Sequence, residues 1–161
     1  MTKQSETFSP KNLFAYFALG EAITWGLLIL GLLAREFLQV PGVTITVVGA
    51  THGFMFLSYS VTAALVGMNN RWSLAQTATG VILAIVPFAT VPYEKWLLKR
   101  KMLDGLWRRD ATKNPKDKSA LDRLFRWLIS RPRTLVLLIV VFVVSLFSVL
   151  LSLGPPDQWG S

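Results

Sequence analysis

The chain has 161 residues, of which 52% are hydrophobic and 16% charged, and its mean hydropathy is +0.46. An ordinary soluble domain carries about 25% charged residues, so a single water-soluble core is a poor description. With no cysteine and one histidine, disulfides, thiolate metal sites, iron–sulfur clusters, covalent c-type haem and bis-histidine haem within this chain are excluded. The net charge of +8 comes with no nucleic-acid recognition motif, so it reads as membrane topology and attraction to anionic head groups, with no nucleic acid as partner.

The expected fold class is all-α: a four-transmembrane-helix membrane protein with a basic cytoplasmic loop between helices 3 and 4. After a short tail over residues 1–12, a three-helix membrane core is expected over 13–100. Its first span, about Leu13 to Leu33, holds one charge, Glu21, and is long enough to cross ~30 Å of hydrocarbon. A signal peptide is the competing reading, but the apolar stretch exceeds a signal core and no small-residue cleavage site follows. A Pro41-Gly42 turn leads to the second span, about Val43 to Met68, which has no formal charge and carries His52. The third, about Leu74 to Trp96, contains Pro87 and Pro92, so its second half is expected to be kinked or locally unwound.

The basic loop, 101–133, follows. Within it, residues 119–129 read SALDRLFRWLI. Leu121, Leu124, Phe125 and Leu128 recur at helical spacing, and Ser119 with Asp122 forms a capping pair. The segment reads as an amphipathic helix lying on the inner leaflet, or packing on a partner subunit. The fourth span, 134–154, is apolar almost throughout and is ended by Gly154-Pro155-Pro156 before a tail over 155–161.

Orientation follows from charge. Thirteen of the 17 Lys and Arg residues lie between Glu94 and Arg133, which places that loop in the cytoplasm. With four crossings, the first connection also falls inside and both termini fall outside, a split of 14 cations against 3. Lys99, Arg100, Lys101, Trp107, Arg108, Arg109, Arg123, Arg126 and Trp127 are the candidate contacts to the inner leaflet or a partner. A bound anionic phospholipid such as cardiolipin is the one ligand this suggests.

Glu21 is the costliest residue, since a carboxylate deep in a bilayer costs at least ~2.5–3.5 kcal/mol on insertion scales unless protonated, paired or hydrated. Counted from opposite ends of their spans, Glu21 and His52 lie at depths that differ by only ~5 Å. Gly20 beside Glu21, and Gly49 with Gly53 around His52, offer flat faces for close helix approach. A Glu21–His52 hydrogen bond or ion pair is therefore expected, with Thr51, Tyr59 and Thr79 as further members. It is either a pin between helices or a proton relay. The chain carries no nucleophile elbow, metal-binding helix or phosphate-cradling loop, so it is not expected to be an enzyme or to hold a cofactor of its own.

The embedded Glu21, the His52-Gly53 pair, Trp72 opening the third segment, and Pro87-Phe88 preceding Glu94 resemble the YdzA-like family of small bacterial integral membrane proteins of unknown function. The resemblance covers roughly Leu13 to Arg100 and implies a multi-pass protein of the bacterial plasma membrane. The fourth helix and long loop depart from that shorter pattern. The extended form is similar to an actinobacterial accessory subunit, or assembly factor, of the cytochrome bcc–aa3 respiratory supercomplex. That likeness implies a non-catalytic accessory role among other integral membrane subunits. A small proton-coupled transporter or channel using Glu21 and His52 is the alternative, and a lipid-binding or regulatory module acting through 119–129 is a third.

Overall fold

A computed structural model describes residues 9–153, apart from residue 113 and the side chains at 115 and 116. The tail before Ser9, the Gly154-Pro155-Pro156 stop and the tail after it lie outside the described residues. The described chain is all-helical and falls into two units, 1–107 and 108–161.

The first unit begins where Ser9 caps helix α1 (Pro10–Leu38), its Oγ accepting from the Asn12 amide at 3.1 Å. At 1.5 Å per residue, 29 residues make a rod of about 43 Å. Gln39, in the left-handed conformation at φ 51°, turns the chain into α2 (Gly42–Asn69). The two run antiparallel. Phe14 meets Tyr59 edge-on at one end, a Cβ on Gly20 would lie 3.2 Å from Met55, and one on Gly31 would lie 3.5 Å from Ile45.

The third segment departs from expectation. A capping box between Ser73 and Gln76 starts α3 (Leu74–Leu83), which stops after ten residues. Tight turns over 84–89 follow, with Phe88 at φ 63°, and then α4 (Thr90–Lys99). Were α3 and α4 collinear, Gln76 and Tyr93 would lie about 25 Å apart. Instead Tyr93 Oη donates to the Gln76 carbonyl at 2.8 Å, and Tyr59 Oη donates to that of Gly80 at 3.2 Å. The Met102 carbonyl accepts from both Asn70 Nδ2 (2.7 Å) and Trp72 Nε1 (2.9 Å), so the chain leaves α4 beside the point where it entered α3.

Helices α3 and α4 are therefore a re-entrant hairpin. Its tip reaches the level of Trp25, whose Nε1 donates to the Ala84 carbonyl at 2.9 Å, about 22 Å along α1 from Pro10. Pro87 lies in the tip. Pro92 sits in the first turn of α4, where a missing amide hydrogen breaks no helical bond, so it starts a helix and does not kink one. The expected break is present, but it reverses the chain. Where one long third helix was expected, two short antiparallel helices stand.

The core of this unit, Phe14, Ala18, Tyr59, Ala63, Val66, Ala84, Tyr93, Leu97 and Leu103, fills the seam between the α1–α2 pair and the hairpin.

In the second unit, a 3-10 turn (Pro115–Lys118) precedes α5 (Ala120–Ile129), and α6 (Pro132–Ser152) follows after two residues. Ser119 Oγ accepts from the Asp122 amide at 3.1 Å, as the capping pair predicts. Among the described residues three helices are long and apolar enough to cross a membrane, namely α1, α2 and α6, while α3 is a shorter apolar helix.

Candidate functional site

The re-entrant tip brings Thr90, the first residue of α4, against the middle of α1. Its Oγ1 lies 3.0 Å from the Ala18 carbonyl and 3.1 Å from Glu21 Oε2. Glu21 is 0% exposed, and its Oε1 is buried with no hydrogen-bond partner among the described residues. A threonine hydroxyl has one proton to give. Both Thr90 contacts are hydrogen bonds at once only when Glu21 carries a proton on Oε2 and donates it to Thr90, leaving Thr90 to donate to Ala18. If Glu21 is ionised, Thr90 serves one acceptor and abandons the other.

His52 lies elsewhere than expected. It is buried on α2, and its Nδ1 is 3.2 Å from Thr24 Oγ1, while the Glu21 carboxyl bonds Thr90. Thr24 Oγ1 also lies 2.9 Å from the Glu21 main-chain carbonyl, so when its single proton goes there the histidine is the donor, with hydrogen on Nδ1. The direct Glu21–His52 pair is thus replaced by a link through Thr24 to the backbone of residue 21. The carboxyl turns instead to the hairpin, a partner hidden while the third segment is read as one rod. The His52 ring packs on Trp25, with centroids 4.4 Å apart.

The other expected members scatter. Thr51 and Thr79 bond back to their own helices, at Val47 and Ala75, and Tyr59 bonds to Gly80. Gly20 does make a close helix approach, whereas a Cβ on Gly49 would meet nothing within 4 Å, and Gly53 is half-buried. The tight glycines are Gly67, where a Cβ would lie 2.6 Å from Thr77 Oγ1, and Gly80, 3.0 Å from the Tyr93 ring. Sequence reading gives Trp25 no role, takes Thr24 only as a small residue flanking Glu21 beside Gly20, and takes Thr90 only as part of the proline cluster at 87–94. The available signal was Thr90 lying between two prolines, a place where a new helix starts.

The basic segment divides. Lys99, Arg100 and Lys101 are exposed, and the Arg100 guanidinium lies 4.4 Å over the Trp96 ring. Arg109, Arg123 and Trp127 are exposed too. Trp107 is half-buried and packs against the core of the first unit. Arg108 grips Asp122 with both terminal nitrogens (2.7 Å for Nη2) and reaches Asp117 at 3.0 Å. Arg126 bonds the Asp122 carboxylate and the Asp117 carbonyl. The Asp122 hydrogen bonds hold Arg108 above the ordinary arginine range, against the opposing pull of its partial burial. Arg108 and Arg126 therefore hold the loop together, their charge matched by Asp117 and Asp122. Among the described residues no three of His, Asp and Glu converge to hold a metal ion.

Comparison with known proteins fits this division. Residues 84 in number align at 31% identity with "Putative membrane protein SCO5905" of Streptomyces coelicolor, over 52% of this chain and 10% of that protein. A stretch of 57 residues aligns at 35% identity with "Uncharacterized membrane protein YdzA" of Bacillus subtilis, over 35% of this chain and 59% of that protein. The chain thus spans a tenth of the first relative and under two thirds of the second. No solved structure matches it. The family model described as "Domain of unknown function (DUF3817)" matches residues 11–99, from the first turn of α1 to the last residue of α4, and so the α1–α4 unit makes this chain a member of the DUF3817 family of unknown function.

Proposed function

We propose that this multi-pass membrane protein is a non-catalytic accessory or assembly subunit of a larger plasma-membrane complex. The observation that carries this reading is where the embedded polar groups go. Thr24, Trp25, Tyr59, Thr90 and Tyr93 all bond groups of the same unit, and the bonds of Trp25, Tyr59 and Thr90 tie the hairpin to α1 and α2. Such bonding favours a rigid scaffold over a machine for chemistry. The respiratory cytochrome bcc–aa3 supercomplex is the candidate assembly, through the likeness of the extended chain to its accessory subunit. A chain with no cysteine and one histidine suits a place beside redox centres. Affinity purification from native membranes in mild detergent tests this. Respiratory subunits should co-purify, and migration as a small particle alone would refute it.

Three crossings by α1, α2 and α6 also change the orientation we propose. The start of α1, the hairpin mouth and the basic segment then share the cytoplasmic side, and the end of α6 lies outside. Sixteen Lys and Arg residues fall inside and only Arg35 outside, a stronger bias than four crossings produce.

One observation favours a second reading, a proton-coupled transporter or channel: Glu21 Oε1 is buried without a partner at a helix break. Protein in liposomes would then dissipate a pH gradient and Glu21→Gln would not. Equal leak from both rejects it.

A further inference from the structure

Helix α5 has two faces that do different work. Phe125 and Ile129 are buried, and Asp122 and Arg126 on the same side are tied into the ion-pair cluster with Arg108 and Asp117. The opposite side presents Leu121 (72% exposed), Leu124 (53%) and Trp127 (47%), with Leu128 half-buried beside them. Those four positions fall at i, i+3, i+6 and i+7, one continuous apolar strip.

What covers that strip follows from the helix beside it. Only Ser130 and Arg131 separate Ile129 from Pro132, so the end of α5 lies within about 10 Å of the start of α6. Helix α6 has 21 residues, about 31 Å, which matches a ~30 Å hydrocarbon core with almost nothing to spare. Its first turn must therefore sit at the head-group boundary, and α5 is held there with it. The charges agree. With Arg108 and Arg126 already paired to aspartates, exposed Arg123, Arg131 and Arg133 border the strip. Arg131 stacks on the Trp127 ring at 4.3 Å, the pairing of an interfacial tryptophan with a cation at phosphate level. Beside it, Arg131, Pro132, Arg133 and Thr134 line a shallow depression open to the surface.

We propose that Leu121, Leu124, Trp127 and Leu128 seat α5 in the cytoplasmic leaflet, and that Arg131 and Arg133 hold the head-group phosphate of an anionic phospholipid at the foot of α6. The site differs from the one read in sequence. Phe125 and Arg126 face inward, Trp127 keeps its expected lipid contact, and Arg131 and Arg133 join it. It stands apart from the accessory-subunit reading and survives that reading's failure.

The absence of native cysteine makes the test direct. Full-length Leu121→Cys, Leu124→Cys and, as an exposed control, Ala111→Cys are labelled with a fluorophore. Each is then reconstituted in vesicles of phosphatidylcholine and phosphatidylglycerol. Labels at 121 and 124 should be quenched by brominated lipid and shielded from aqueous iodide, with the reverse at 111. Iodide access at 124 equal to that at 111 would overturn the proposal. Shielding from both quenchers would overturn it too, by showing a protein contact. Arg131→Gln and Arg133→Gln should each lower retention of phosphatidylglycerol, seen by native mass spectrometry, by roughly fivefold. Undiminished retention in the double variant, with the 124 label still lipid-quenched to prove the fold, would remove the head-group site.

Discussion

Replacing Thr90 by valine keeps the side chain's shape and removes one hydroxyl, at the point where the hairpin meets α1. Two contacts go, to the Ala18 carbonyl and to Glu21 Oε2. Hydrogen bonds inside membrane proteins average about 0.6 kcal/mol, so the bonds themselves account for roughly 1 kcal/mol. The larger part is the carboxyl left behind. Glu21 is fully buried and its Oε1 already has no partner, so Oε2 would be stranded as well, at about 1–3 kcal/mol. The total expected loss is about 2–4 kcal/mol, measured by reversible SDS titration of the purified protein in mild detergent. Thr90→Ser should restore most of it. In a Glu21→Leu background the same Thr90→Val change should cost much less, because no acid remains to be stranded. A loss under about 0.5 kcal/mol, or equal losses in both backgrounds, would refute the idea that Thr90 works through Glu21.

Three further outcomes are expected. Gly67→Ala drives a Cβ to 2.6 Å from Thr77 Oγ1 and should destabilise by about 1–3 kcal/mol, while Gly49→Ala meets nothing and should be neutral or slightly stabilising in the same titration. Arg108→Lys cannot reproduce the two-pronged grip on Asp122 and should speed proteolysis of the loop several-fold. Because Arg108 is held above the ordinary arginine range, its contribution is complete below that range and lost only as pH rises through its still higher folded value. The protection it provides should thus not fall as pH rises through neutrality. For topology, an impermeant maleimide on intact cells should label Gln39→Cys and spare Asp104→Cys. Protection of Gln39→Cys under conditions that label it in opened cells would restore the four-crossing arrangement.

Much was legible in the sequence because a bilayer sorts residues by polarity along the chain. The extents of α1, α2 and α6, the α5 cap at Ser119 and the break near Pro87 all follow from local composition. Burial of Glu21 and His52 was legible for the same reason, since a carboxyl and an imidazole within apolar spans must find shelter. The reversal at 84–89 was not. An apolar run of this length reads the same whether it crosses or turns back, because hydropathy measures distance along the chain and carries no direction. Only the contacts of Tyr93 with Gln76, and of Met102 with Asn70 and Trp72, decide it. The partner of Glu21 then follows from that fold, since the reversal carries Thr90 to the level of Ala18 and a hydrogen bond forms only between groups that tertiary structure brings within about 3 Å.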